Sequence, residues 1–317
     1  MKEMIFRQFE TGTPEYENEF WASLRGKSRG RAHLDLGKAD KSDAYKFPNA
    51  AARKLYGYLY DESLFRRLGT LIAAYDVGYQ IIAKDCKDRA EWVDENAEIS
   101  IYDGLNDFNA SLIDSHKLTN LVRIDEDFIH DTTFDFQDYL LRRFARTFGQ
   151  SEEDAFINGN GLNQPTGILH SSKGAEIGLS TDVLTYDTVI RLFFSLKPEY
   201  RDRAVWIMND ETALKLRTMK DDAGNYLWRN SDDTILGHKV VISNFMPSAE
   251  AGKCPIVFGD FTYYWVALRK PASIRPLFER FSLYGQIAYL GIQYLDGRLI
   301  RREAIKTIQI QSESPAE

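Results

Sequence analysis

The sequence predicts an α+β fold, and three observations predict it. One amphipathic stretch, Asp135–Asn158, repeats large apolar residues at helical spacing. Between residues 186 and 258 short helical and strand-like segments alternate, and from Trp265 to Ile310 the chain is mostly long strand-like runs.

The helix is the clearest element. Phe136, Leu140, Phe144 and Phe148 recur at i+4, and Leu141, Ala145, Ala155 and Phe156 widen the stripe. Thr132 or Thr133 is placed to cap its start. At about 1.5 Å per residue, some 24 residues make a rod of about 36 Å, long enough to be the spine of a domain. It runs into Asn158-Gly-Asn-Gly-Leu-Asn-Gln-Pro-Thr-Gly167, whose glycines and proline suit a tight reversal. Beyond it the sequence predicts helices at Tyr186–Leu196 and Asp210–Met219, a buried strand at Ala204–Met208 and a turn at Asp221–Asn225. Short strands follow at Lys239–Ile242 and Ile256–Phe258, and Leu283–Tyr294 reads as a strand stopped by an Asp296-Gly297 turn.

Charge is unevenly placed. From Ser23 to Lys54 nine Lys/Arg stand against three Asp, a net of +6, with three glycines and few aliphatic residues. That composition reads as an extended arm ordered on assembly, or as a solvated loop. From Lys84 to Asp107 eight acids face three bases, a net of −5. Strand-like flanks at Val77–Ile82 and Phe108–Val122 make this a long projecting β-hairpin, which cannot bury both faces alone. The basic Arg25, Lys27, Arg29 and Arg31 and the acidic Glu91, Asp94, Glu95 and Glu98 are therefore candidates for contacts between subunits.

Bulk properties exclude several classes. The chain has 317 residues, 44% of them hydrophobic and 13% aromatic, enough for a real core and suggestive of buried interfaces. A net charge of −7 argues against sequence-specific DNA binding. Cys86 and Cys254 form no CxxC pair, which suits a reducing compartment. The five histidines share no i,i+3 or i,i+4 spacing for a metal, and no phosphate-loop, nucleophile-elbow or kinase signature occurs. The carboxylate clusters Asp125–Asp127 and Glu152–Asp154 read as solvated faces or subunit contacts. The start of the chain is not a signal peptide, and no apolar run is long enough to span a bilayer. No cofactor, no metal and no catalytic residue is expected; a hydrolase with a hidden carboxylate site is the reading from another class.

A resemblance sharpens this. Phe148-Gly-Gln-Ser-Glu-Glu-Asp-Ala-Phe-Ile-Asn-Gly-Asn-Gly-Leu-Asn-Gln-Pro-Thr-Gly-Ile-Leu169 closely resembles the spine-helix end of tailed-phage major capsid proteins: E-x-A-x-hydrophobic-N/G-G, a glycine-rich turn, then P-x-G-hydrophobic-L. Tyr16–Arg25 resembles that family's amino-terminal arm. Asp221–Tyr226 through Leu236–Pro247 is similar to its axial hairpin and strand, and Phe258–Phe261, Leu295–Arg298 and Glu303-Ala304 are similar to its closing strands.

The resemblance implies a Hong Kong 97-type capsid fold. It divides the chain into an N-terminal arm (1–60), a peripheral domain with the spine helix (61–77, 116–184 and 262–294), an E-loop hairpin (78–115) and an axial domain (185–261 and 295–317). It implies a structural protein that joins copies of itself as hexamers and pentamers into an icosahedral shell around phage double-stranded DNA. The implied partners are a separate scaffolding protein or none, a portal and a maturation protease, with no membrane. The implied location is the virion capsid, made in the host bacterial cytoplasm. The arm-like motif begins near Tyr16, so a fused scaffold is not expected. Positions matching one member's Lys–Asn crosslink and its assisting Glu are Ile101, Gln286 and Gln293, so covalent chainmail is not expected. An encapsulin-type nanocompartment shell is the alternative of the same fold.

Overall fold

The computed structural model describes residues 10–27, 44–74, 80–84, 92, 108–112, 114–131, 133–228 and 233–311. Helix α1 (Pro14–Leu24) is the first α-helix among the described residues, with Thr13 capping it through the Tyr16 N–H. Strand β1 (Tyr45–Lys46), helices α2 (Asn49–Glu62) and α3 (Leu64–Leu68) and strand β2 (Thr70–Ala73) follow. Next come β3 (Gln80–Lys84), β4 (Phe108–Leu112), β5 (His116–Asp125) and the long helix α4 (Phe136–Asn158). The remainder is β6 (Glu176–Thr181), α5 (Tyr186–Ser195), β7 (Val205–Met208), α6 (Asp210–Arg217), β8 (Thr234–Ile235), β9 (His238–Ile242), β10 (Ile256–Gly259), β11 (Tyr264–Leu277), β12 (Gln286–Leu299) and β13 (Ile305–Ile310).

These form two main sheets. The first runs β1-β11-β12-β5, with β2 added parallel to β11. One face is covered by the apolar stripe of α4, where Phe136, Leu140, Phe144 and Phe148 meet Val122, Ile274, Ile287 and Tyr289. Each such buried side chain stabilises by about 1.5–3 kcal/mol, so the i+4 pattern is what fixes this helix to the sheet. Gly291 lets the Phe144 ring approach β12 closely, since a Cβ there would come within 2.6 Å of it. The cap of α4 is Asp135, whose carboxylate accepts the Asp138 N–H, rather than Thr132 or Thr133. Thr133 instead donates to Asp131.

The second sheet runs β6-β13-β10-β7-β9-β8 and mixes parallel and antiparallel pairs. Trp206, Met208, Ile256, Phe258 and Ile308 face Val189, Leu192 and Leu216 of α5 and α6. The intervening Ile207, Val257 and Ile305 face the opposite way, onto Phe65, Phe156, Ile157 and Tyr264. Both faces are thus buried, which is why β10 is continuously apolar rather than alternating.

Two expectations need correction. Asp296-Gly297 is no turn: both residues lie inside β12, which continues to Leu299. Asp296 accepts the Asp114 and Gly297 N–H groups, and a Cβ on Gly297 would stand 2.5 Å from the Tyr264 hydroxyl. The glycine serves close packing; β12 ends only at Leu299, and the turn that leads into it closes on Gly285, with φ 63°.

The two flanks of the supposed arm are folded body, and residues 28–43 between them lie outside the described residues. Phe20, Trp21 and Leu24 of α1 and Ala51, Leu55 and Leu59 of α2 belong to the first core, and β1 pairs with β11. Their apolar residues are sparse in the sequence but fall on one face of each helix. Residues 295–299 stay in the first sheet and β6 joins the second.

The hairpin base is present as β3 paired antiparallel with β4, from Gln80↔Leu112 to Lys84↔Phe108. Beyond it, the flank from 108 to 122 splits, because β5 belongs to the first sheet against β12. Residues 85–107, apart from Trp92, lie outside the described residues.

On the outer side of α2 and α4, the Tyr58 hydroxyl and the Arg142 guanidinium both donate to Asp138, at 2.5 and 2.6 Å. These bonds, from Tyr58 first and then Arg142, hold the Asp138 carboxyl below its ordinary 3.8. A depressed carboxylate contributes stability above its unfolded pKa and loses it as pH falls through the folded value. Thermal unfolding from pH 7 to pH 2 should therefore show a small loss attributable to this site only below about pH 4. Asp138→Asn should flatten that acid limb; an unchanged limb would remove Asp138 as its cause.

Candidate functional site

No group of three or more His, Cys, Asp or Glu among the described residues could hold a metal, and no helix among them is long and apolar enough to cross a membrane. Cys254 is half-buried, and burial pushes its thiol upward, away from reactivity.

What stands out instead is a charged cleft. Arg25 closes the C-terminus of α1, with its guanidinium 5.7 Å from the centre of the Phe136 ring. Tyr289 anchors that end by donating its hydroxyl to the Leu24 carbonyl at 2.8 Å. Arg25 and Lys27 then line an open cleft of about 1070 Å³ together with Arg275 and Arg280 from the end of β11 and the turn after it. Glu126 and Glu279 are the opposing carboxylates, and His130 stands 3.7 Å from Glu126. Four cations against two carboxylates make a wall suited to an acidic partner.

The structure thus brings Arg25 and Lys27 together, while Arg29, Arg31, Glu91, Asp94, Glu95 and Glu98 lie outside the described residues. Arg275 and Arg280 were not picked out from the sequence. They are remote in the chain and reach the cleft through the β1–β11 pairing, Tyr45↔Ile274. Their only local signal is that two arginines flank Pro276–Glu279 just before a turn.

Beside the cleft, the β11–β12 turn presents Leu283 and Tyr284 at 96% and 75% exposure, and Trp92 is fully exposed. Large apolar groups standing into water mark surfaces that are covered in an assembly. The crosslink-matching positions are otherwise engaged. Gln286 donates to Asp125 at 2.7 Å, and Gln293 is fully buried, donating to Glu152 at 3.1 Å. Ile101 lies outside the described residues. Glu152 also departs from the expected solvated face: it is 1% exposed and paired with Arg66.

Comparison with known proteins gives this geometry a context. The model of the phage capsid family matches residues 44–310, which takes in both sheets and the long helix. Among solved structures, the capsid of a native GTA particle is 26% identical with a TM-score of 0.65, covering 79% of this chain and 90% of that one. The capsid of an empty GTA particle is 25% identical, TM-score 0.63, with the same coverage. A Gordonia phage Cozz structure shares the fold at 12% identity, TM-score 0.53, covering 79% of this chain and 87% of that chain. No curated protein sequence matches the chain.

Proposed function

The chain belongs to the phage capsid family, and on that premise we propose that its copies gather as pentamers and hexamers and enclose double-stranded DNA. It is a structural major capsid protein of the tailed-phage type, a builder of icosahedral shells and not an enzyme. The observation that carries this is the family match running unbroken across both sheets. The same match and the capsid neighbours favour a phage shell over an encapsulin-type compartment.

In this reading the first-sheet unit is the peripheral domain and the second-sheet unit the axial domain of each capsomer. The β3–β4 hairpin is the E-loop, whose acidic stretch reaches the basic residues of a second copy. Arg25, Lys27, Arg29 and Arg31 receive it, with Arg275 and Arg280 completing the wall of the cleft. The enclosed DNA is held without sequence reading, through phosphates and the basic stretch, so those contacts weaken steeply with salt. A separate scaffolding protein, a portal and a maturation protease are its partners, and it is made in the cytoplasm of a bacterial host.

The test is assembly. Purified full-length chain, with and without a scaffolding protein from the same source, is examined by sedimentation and negative-stain microscopy across a concentration series. Pentamers, hexamers or closed particles are the expected result. A protein that stays strictly monomeric at high concentration with scaffold supplied would reject the reading.

A further inference from the structure

Two consecutive acids near the end of α4 are held in opposite directions. Glu152 points into the first unit, where it takes a two-pronged bond from Arg66 of α3, both contacts at 2.7 Å, and a third from Gln293 of β12. Glu153 points the other way. One of its oxygens accepts the hydroxyl of Ser243 at 2.5 Å, and the other faces the Leu64 N–H at 3.4 Å. Ser243 is 2% exposed and belongs to the second unit, since its own N–H donates to Met208 at the end of β7. Leu64 is the first residue of α3, so its N–H has no partner within that helix. Glu153 is therefore the point where α4, α3 and the second sheet meet. One turn further on, Asn158 adds a bond to the Phe245 carbonyl at 3.0 Å.

The two units also meet through an apolar cluster, with Phe65, Phe156 and Ile157 on one side and Ile207, Val257 and Ile305 on the other. Apolar burial is strong but non-directional. It resists separation of the two sheets far better than it resists a few degrees of rotation between them. Hydrogen bonds to a carboxylate are directional and stronger than neutral ones, and here they cross the junction. The E of the helix-end motif E-x-A is Glu153 itself.

We propose that Glu153 is a positioning residue that fixes the angle between the two sheet units, and through that angle the curvature at which copies of this chain close. The proposal rests on the shell reading above. In a closed assembly every copy repeats the same contacts, so a small angular error in each one accumulates around the ring. Loosening this joint should leave subunits folded and able to touch, but should change the size at which they close.

Particle diameters of the full chain and of Glu153→Leu, Glu153→Gln, Ser243→Ala and Leu216→Ala, assembled in parallel, test this. Leu removes both bonds from the junction, whereas Gln can serve both partners, its amide oxygen accepting the Leu64 N–H and its amide N–H donating to the Ser243 hydroxyl oxygen. Ser243→Ala cuts only the link to the second sheet. Leu216 is buried in the second core away from the joint and controls for general loss of stability. Glu153→Leu should shift the mean diameter or at least double its spread, Ser243→Ala should do so more weakly, and Gln and the Leu216 control should match the parent. Parent-like diameters for Glu153→Leu would overturn the proposal. So would equal broadening by the Leu216 control, or folded Glu153→Leu that forms no particles where Gln does. Should Glu153→Leu fail to fold, Ser243→Ala decides, and a parent-like diameter for it overturns the proposal. A parent chain that forms no particles would instead sink the shell reading.

Discussion

Arg66→Met should lower the unfolding free energy of the unassembled subunit by about 3–5 kcal/mol, the cost of leaving a buried carboxylate without its partner. Arg66, Glu152 and Gln293 are 3%, 1% and 0% exposed, and Gln293 Oε1 finds no hydrogen-bond partner among the described residues. After the substitution Glu152 keeps only the Gln293 amide at 3.1 Å. Water cannot make up the deficit in a site this closed. Replacing Arg66, Glu152 and Gln293 together by Met, Leu and Met removes the charges with the group that needs them. That triple variant should sit near the parent, or up to about 1–4 kcal/mol above it. Denaturant midpoints of the two variants separate these cases. Equal losses in both would mean that the site contributes packing volume rather than paired charge.

The same cluster shows what the sequence could and could not disclose. The i+4 row Phe136, Leu140, Phe144 and Phe148 located α4 to within a residue of its observed ends, because one face of a helix carries its own period. Tyr186–Leu196, Ala204–Met208 and Asp210–Met219 were legible for similar reasons of local pattern. Glu152 was not. In the run Glu152-Glu153-Asp154 nothing local says that the first acid is buried, since its partners stand 86 and 141 residues away. Asp296-Gly297 misled in the opposite sense. It carries turn chemistry, yet Gly297 is small because Tyr264 and Phe156 press on it. The cleft was half legible: Arg25 and Lys27 belong to a visible run of charge, whereas Arg275 and Arg280 arrive only through strand pairing.

Reversing Glu91, Asp94, Glu95 and Glu98 to Lys should leave the subunit folded and abolish assembly. The acidic stretch carries −5, and the cleft on the receiving copy presents Arg25, Lys27, Arg275 and Arg280 against Glu126 and Glu279. An exposed ion pair is worth only about 0–1 kcal/mol, and physiological salt screens it beyond roughly 8 Å. No single pair would decide closure. The four substitutions, however, change the charge of the stretch by +8, from −5 to +3. Modest attraction becomes repulsion at every interface at once, and a shell repeats that interface many times. Folding should be spared, because the four substitutions exchange one charged side chain for another and remove no apolar group. Reversing Arg25, Lys27, Arg29 and Arg31 to Glu in the same chain should restore part of the assembly, and adding Arg275→Glu and Arg280→Glu should restore more. High salt should lessen the defect of the acidic-stretch variant. Light scattering and microscopy at low and high salt read all of these. If the acidic-stretch variant assembles like the parent at both, the two charged regions do not meet and the uneven charge along the chain has another cause.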